Sequence, residues 1–132
     1  MKAVTKLMIR EFKIKELGYD FMGYSLQQDD IFTFHHLIIP NKLGGTSTID
    51  NGAVLFRRSH TYLHLIESID YLKFCYITSE MINMNIKRCL DLNSIKLIDE
   101  ILCEFEYENK DKKNMKDEFL VKDEYKIRLL RK

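Results

Sequence analysis

The central sequence of the chain is IFTFHHLIIPNKLGGTSTIDNGAVLFRRSHTYLHLIES, residues 31–68, and it contains all four histidines. Residues 31–34 are β-branched or aromatic, which predicts a strand. Pro40 and the two glycines at 44–45 predict a long loop after this strand. Residues 53–56 predict a second short strand, and the pattern that follows is typical of a helix. The predicted order is therefore strand, long loop, strand, helix.

The four histidines fall into two pairs with different geometry. His35 and His36 end the first strand, where neighbouring side chains point to opposite faces. The two rings therefore cannot have the same role in a site. His60 and His64 lie four residues apart on the predicted helix, whose expected N-cap is Ser59. Their rings therefore share one helix face and can bind one metal ion. One ring of the adjacent pair can be a third ligand, while the other serves as a general base.

This stretch resembles the motif of the HNH, or ββα-metal, nucleases, a family that includes homing endonucleases and the nuclease domains of colicins. The matching features are HHLIIP at 35–40, the glycines at 44–45, Asn51, His60 and His64. Fifteen residues separate the second histidine from Asn51, and nine separate Asn51 from His60, spacings that are usual for the motif. The additional His64 is similar to the colicin-type variant, in which a helical His-x-x-x-His pair helps to hold the metal.

The resemblance implies a ββα-metal core, and the helical periodicity of the flanks adds an N-terminal helix and a C-terminal helical scaffold, which together predict an α+β fold. It assigns the general base to His36 and the metal ligands to His35, His60 and His64. It also implies that Asn51 belongs to the catalytic unit, because the middle residue of the motif braces the long loop and orients the base.

Two departures from the family bear on the expected metal. Many members have Asp at position 35, so His35 makes this site richer in nitrogen. Three imidazoles favour zinc, nickel, cobalt or manganese over magnesium, and the cofactor is expected to be a divalent ion, Zn, Ni, Mn or Mg. Many members also carry two CxxC pairs around the motif, and the three cysteines of this chain, Cys75, Cys89 and Cys103, are too widely spaced to form them.

The implied function is metal-dependent hydrolysis of phosphodiester bonds in a nucleic-acid partner, with DNA as the expected substrate. Arg57 and Arg58 are candidate phosphate-binding residues, and Lys42 in the loop is another. Glu67, one turn after His64, can orient that ring. Two alternatives stay open: an RNase or toxin-like nuclease, and a catalytically inactive, metal-stabilised HNH-like module that binds nucleic acid or protein. A homodimer or a partner protein that supplies specificity also stays open.

The rest of the sequence predicts one domain, residues 1–132, that contains the motif core at about 31–68. Residues 5–17 predict an amphipathic helix that ends at Gly18. Residues 69–108 predict a helical scaffold, with a break near Ser79, and residues 109–132 a charged tail. The net charge of +1 gives no overall attraction to nucleic acid, although both ends are basic. Three scattered cysteines and the lack of a signal or membrane segment predict a cytoplasmic protein without a membrane partner.

Overall fold

The computed structural model describes residues 1–111, and its helices and two-stranded antiparallel sheet give an α+β fold, as predicted. The elements in chain order are α1 (Ala3–Glu11), α2 (Ile14–Leu17), β1 (Phe32–His36), β2 (Gly52–Phe56), α3 (Arg57–Ile69), α4 (Tyr71–Lys87) and α5 (Leu92–Asn109). Two single 3-10 turns, Asn41–Leu43 and Ile49–Asn51, lie in the loop between the strands. None of the helices in this part of the chain combines the length and apolar character needed to cross a membrane. The tail predicted over 109–132 begins at the last residue of α5, and from residue 112 onward it lies outside the described residues.

The helix expected over residues 5–17 is two helices. The break falls at Lys13, which adopts a left-handed conformation with φ of 54°. Gly18, with φ of 82°, ends α2, and its N–H donates to the carbonyl of Ile14 at 2.8 Å. The prediction that the helix ends at Gly18 is confirmed, because a residue without Cβ adopts the left-handed cap at little cost. α1 packs on the hairpin, and the side chains of Met8, Ile9, Phe12 and Ile14 are buried in the core.

The two strands form an antiparallel hairpin, with His35 opposite Ala53 and His36 opposite Gly52. Because side chains alternate along a strand, Thr33 and His35 share one face of β1, and His36 lies on the other. Every residue of β2 is buried, and α3 contacts both strands. The hairpin and α3 therefore hold the adjacent histidine pair and the helical histidine pair close together.

A buried carboxylate, Asp20, ties the segment before β1 to the start of α3. It accepts hydrogen bonds from the N–H groups of Met22, Tyr24 and Phe56, at 2.9, 3.1 and 3.0 Å, and from the hydroxyl of Ser59. The expectation that Ser59 caps α3 was wrong, because Phe56 is the N-cap. Ser59 lies in the first turn of α3, and its hydroxyl donates to Asp20. Burial raises the pKa of the Asp20 carboxyl to about 6, although its four hydrogen bonds oppose that change.

The two long helices after α3 form the predicted scaffold. α4 is continuous, so the break expected near Ser79 was wrong. Asp70 accepts a hydrogen bond from the Lys73 N–H at 3.2 Å and caps α4, and Asp91 caps α5 through the Asn93 N–H at 2.8 Å. Burial of each large apolar side chain contributes roughly 1.5–3 kcal/mol, which holds α3 in place. The fully buried side chains of α3, α4 and α5 include Leu63, Ile66, Ile77, Met81, Met84, Ile98, Leu102 and Phe105.

Candidate metal centre

Three of the four histidines meet where α3 covers β1. Nδ1 of His35 lies 3.2 Å from Nε2 of His60. The ring centroid of His64 lies 4.8 Å from that of His60 and 5.6 Å from that of His35. One nitrogen from each ring lies within 4.8 Å of the other two. These are the three residues that the motif resemblance assigns to the metal.

The periodicity of the two elements explains this convergence. His60 and His64 are one turn apart on α3, so both rings face the same side. His35 is 5% exposed, His60 is half-buried, and the side chain of His64 is 54% exposed. The cluster therefore has a buried end at β1 and opens to solvent at His64.

Burial keeps the two inner rings neutral. Burial, followed by the charges of His60 and His64, lowers the pKa of His35 to about 3. Burial, followed by the charge of His64, lowers the pKa of His60 to about 4. Both rings consequently carry a free lone pair at neutral pH, which a metal ligand requires.

The two helical rings each have a second polar contact, made by Nδ1. Nδ1 of His60 lies 2.7 Å from Oγ1 of Thr33, and Nδ1 of His64 lies 3.0 Å from Oε1 of Glu67. Metal-binding histidines commonly use the nitrogen that does not bind the metal in this way, which fixes the ring orientation. Nε2 is then the nitrogen of each ring that remains for a ligand.

The donor set fits a divalent metal ion. Bonds of about 2.0–2.1 Å from zinc to nitrogen place two tetrahedral ligand atoms about 3.3 Å apart, close to the 3.2 Å between His35 and His60. Nε2 of His35, the other nitrogen of that ring, is buried and has no hydrogen-bond partner among residues 1–111, so His35 differs from the two helical rings in having no outer contact. Three imidazoles leave one position of a four-coordinate ion open, as catalytic sites do.

His36 lies outside this cluster. Its ring packs edge-on against Phe34, with centroids 4.9 Å apart, and its Nε2 lies 3.4 Å from Oγ of Ser47. The ammonium group of Lys2 donates to the same hydroxyl at 3.0 Å. Partial burial, followed by the charge of Lys2, lowers the pKa of His36. This favours the neutral ring that a general base needs.

Asn51 connects the two sides of the loop between β1 and β2. Its Oδ1 accepts from the N–H groups of Ile38 and Ile39 at 2.9 and 3.0 Å. Its Nδ2 donates to the carbonyls of Ile39 and Thr46, both at 3.1 Å. Its own carbonyl accepts from the N–H of Leu37 at 2.9 Å. These hydrogen bonds join the two sides of the loop through Asn51.

The two arginines expected at a phosphate have different surroundings. The guanidinium of Arg58 forms an ion pair with Asp30, with 2.9 Å between Nε and Oδ1, and donates to the carbonyl of Ser25. A phosphate would have to displace this carboxylate, so the contacts of Arg58 favour a structural role instead of the expected one. Arg57 and Lys42 are exposed and stay candidates.

No motif in the sequence marks Thr33, Lys2 or Ser47 as a site residue. Alternation along a strand could have identified Thr33, because it lies two residues before His35 and so on the same face. No periodic signal connects Lys2 with Ser47, since 45 residues separate them.

No protein-family description, curated protein or solved structure matches the chain. The assignment to the HNH nucleases therefore stays a prediction from the motif. Any function has to be argued from the residues and their geometry.

Proposed function

We propose that the chain is a metal-dependent HNH-type endonuclease that hydrolyses phosphodiester bonds in DNA. The observation that carries the proposal is the convergence of His35, His60 and His64 into one cluster. His36 follows directly on the same strand, which supplies the further imidazole that such a hydrolase needs.

The order of the central elements supports a ββα-metal core. β1, a braced loop, β2 and α3 follow one another in the chain. The motif residues occupy corresponding places: His36 ends β1, Asn51 ends the loop, and His60 and His64 lie on α3. The resemblance rests on residue types, and the element order rests on the backbone geometry.

The three clustered histidines would hold the metal ion through ring nitrogens. The preference of three imidazoles for zinc, nickel, cobalt or manganese over magnesium applies to this set. When bound, the ion stabilises the negative charge on the phosphate and on the departing oxygen as a Lewis acid.

His36 would take the proton from the attacking water. Its lowered pKa leaves the ring neutral, and the contact with Ser47 and the loop brace of Asn51 restrict its surroundings. General-base catalysis by a positioned side chain typically contributes ~10²–10⁴ in rate.

Substrate binding would rely on local cations, because the net charge is only +1. Lys2 lies close to the proposed base, since both contact Ser47. Arg57 and Lys42 offer further exposed positive charges. Such contacts to phosphates position a nucleic acid without reading its sequence.

Plasmid nicking tests the proposal. Protein stripped with EDTA and reloaded with Zn²⁺, Ni²⁺, Mn²⁺ or Mg²⁺ is incubated with supercoiled plasmid, and parallel reactions contain single-stranded DNA or RNA. We expect nicking that requires the ion. His36→Ala should lower the rate ~10²–10⁴-fold with metal affinity retained, whereas His60→Ala should lose both activity and metal.

Thr61→Ala is a suitable control, because Thr61 is an exposed neighbour of His60 on the same helix. It should nick plasmid at the wild-type rate. Equal nicking by His36→Ala and the wild type would contradict the assignment of the base. Cleavage of RNA alone would replace DNA as the substrate.

One observation favours the second candidate, an inactive metal-stabilised module that binds nucleic acid or protein. The ring of His36 contacts Phe34 and Ser47 and is not one of the three clustered rings. In that case the protein binds metal through His35, His60 and His64. It cleaves no nucleic acid with any of the four ions.

A further inference from the structure

We propose that Thr33 is a positioning residue that decides which nitrogen of His60 is available to the metal ion. This inference rests on the metal-binding part of the proposed function and not on nuclease activity. It follows from the hydrogen bonds that the Thr33 hydroxyl can make with its two neighbours.

The hydroxyl of Thr33 has two close polar partners and only one hydrogen. Its Oγ1 lies 2.7 Å from the carbonyl oxygen of Leu55 and 2.7 Å from Nδ1 of His60. A carbonyl oxygen can only accept, so the hydroxyl hydrogen must point to Leu55. The contact with His60 is then a hydrogen bond only if Nδ1 carries the proton and donates to Oγ1.

This assignment leaves a lone pair on Nε2 of His60. Nε2 faces the cluster, 3.2 Å from Nδ1 of His35, which must therefore be the donor in that contact. The hydrogen bonds run in one direction, from His35 to His60 to Thr33 to the carbonyl of Leu55. A metal ion that takes the Nε2 lone pair of His60 replaces the bond from His35 and leaves the bonds from His60 to Thr33 and from Thr33 to Leu55 intact. When Nδ1 of His35 also binds the ion, the proton of that ring moves to its Nε2.

Without the Thr33 hydroxyl, nothing else among the described contacts holds the proton on Nδ1 of His60. The ring can then carry its proton on Nε2, and a proton there faces the metal position in place of a lone pair. Loss of such an outer partner typically weakens metal binding about 10–100-fold. Glu67 makes the corresponding contact with His64, but that pair is exposed and a water molecule can replace it.

Three variants separate this role from a merely structural one. Thr33→Val keeps the shape and the strand preference of the side chain but removes the hydroxyl, and Thr33→Ser keeps the hydroxyl. Thr61→Val makes the same change at an exposed position beside His60. Thermal unfolding of each metal-free variant shows whether the fold is retained.

Two measurements test the proposal, and neither uses nucleic acid. Long-range ¹H–¹⁵N correlation spectra of the metal-free protein identify which nitrogen of His60 carries the proton. Calorimetric titration with Zn²⁺ gives the dissociation constant. We expect the proton on Nδ1 in the wild type, Thr33→Ser and Thr61→Val, and a shift toward Nε2 in Thr33→Val with about 10–100-fold weaker binding.

A proton on Nε2 of His60 in the wild type would overturn the proposal, as would a Thr33→Val protein that binds Zn²⁺ as tightly as Thr61→Val does. If the protein binds Zn²⁺ with the expected dependence on Thr33 but cleaves no nucleic acid, the nuclease proposal fails and the role of Thr33 stands.

Discussion

His35 and His60 hold ring nitrogens 3.2 Å apart, although 25 residues separate them in the chain. The contact connects β1 with α3, so an ion bound by both rings cross-links the sheet to the helix. Because such a site exists only in the folded chain, the free energy of metal binding adds to the free energy of unfolding.

Divalent metal should therefore raise the melting temperature of the wild type. A free ion concentration of about 100 times Kd adds about 2.7 kcal/mol to the folded state. His60→Ala should lose this gain, while His36→Ala should keep it, because only His60 belongs to the cluster. Thermal unfolding followed by circular dichroism, with Zn²⁺ or with EDTA, measures the difference. An equal gain in His60→Ala would mean that the ion binds elsewhere.

The sequence predicted the cluster because its members lie on regular elements. A spacing of four on a helix places His60 and His64 together whatever the surroundings. Alternation on a strand places His35 and His36 on opposite faces of β1, but it does not predict which face the helix covers. The choice of His35 came from the motif resemblance, and the position of α3 agrees with it.

Contacts over long distances in the chain explain what the sequence could not predict. Ser59 has the residue type and place of a helix cap, but Asp20, 39 residues earlier, takes its hydroxyl. Arg58 precedes the histidine helix as a phosphate ligand could, but Asp30, 28 residues earlier, binds its guanidinium. Short-range patterns contain no information about either carboxylate.

Asn51→Asp should loosen the loop between the strands. The carbonyls of Ile39 and Thr46 lose their donor and face a carboxylate instead. We expect a loss of about 2–4 kcal/mol in the free energy of unfolding and faster amide hydrogen exchange over residues 37–51. Urea unfolding and hydrogen-exchange mass spectrometry measure the two effects. Asn93→Asp adds the same charge at an exposed site in the first turn of α5, where it should change the free energy of unfolding by no more than about 1 kcal/mol and leave exchange in the loop unchanged. Protection of the loop in Asn51→Asp equal to that of the wild type would contradict the bracing role of Asn51.

Lys2→Gln should reduce the salt dependence of DNA binding. One phosphate contact contributes about 0.9 to the slope of log K against log salt concentration for duplex DNA. Anisotropy of a labelled duplex in EDTA measures this slope without cleavage. Lys96→Gln removes the same charge from an exposed position on α5 and should leave the slope unchanged. Equal slopes in the two variants would exclude Lys2 from the nucleic-acid interface.

Asp20 should make the folded state less stable as the pH rises. Complete burial raises the pKa of this carboxyl from 3.8 to about 6, so the folded state holds the proton more tightly than the unfolded chain does. The resulting stabilisation is fully present below pH 3.8 and is lost as the pH rises through about 6. At about 1.4 kcal/mol for each pKa unit, the full loss is about 3 kcal/mol.

Asp20→Asn isolates this effect, because the amide does not titrate while every other group stays the same. The NH₂ group of the new amide also faces N–H and hydroxyl groups that donate to the Asp20 carboxylate in the wild type. The variant is therefore less stable than the wild type at every pH. Urea unfolding in EDTA between pH 4 and 7.5 gives the free energy of unfolding of both proteins. The wild-type value minus the variant value should fall by about 2 kcal/mol across this range, because at pH 4 the unfolded carboxyl is already partly ionised. A difference that stays constant or grows would mean that the four hydrogen bonds outweigh burial and keep the pKa of Asp20 at or below its ordinary value.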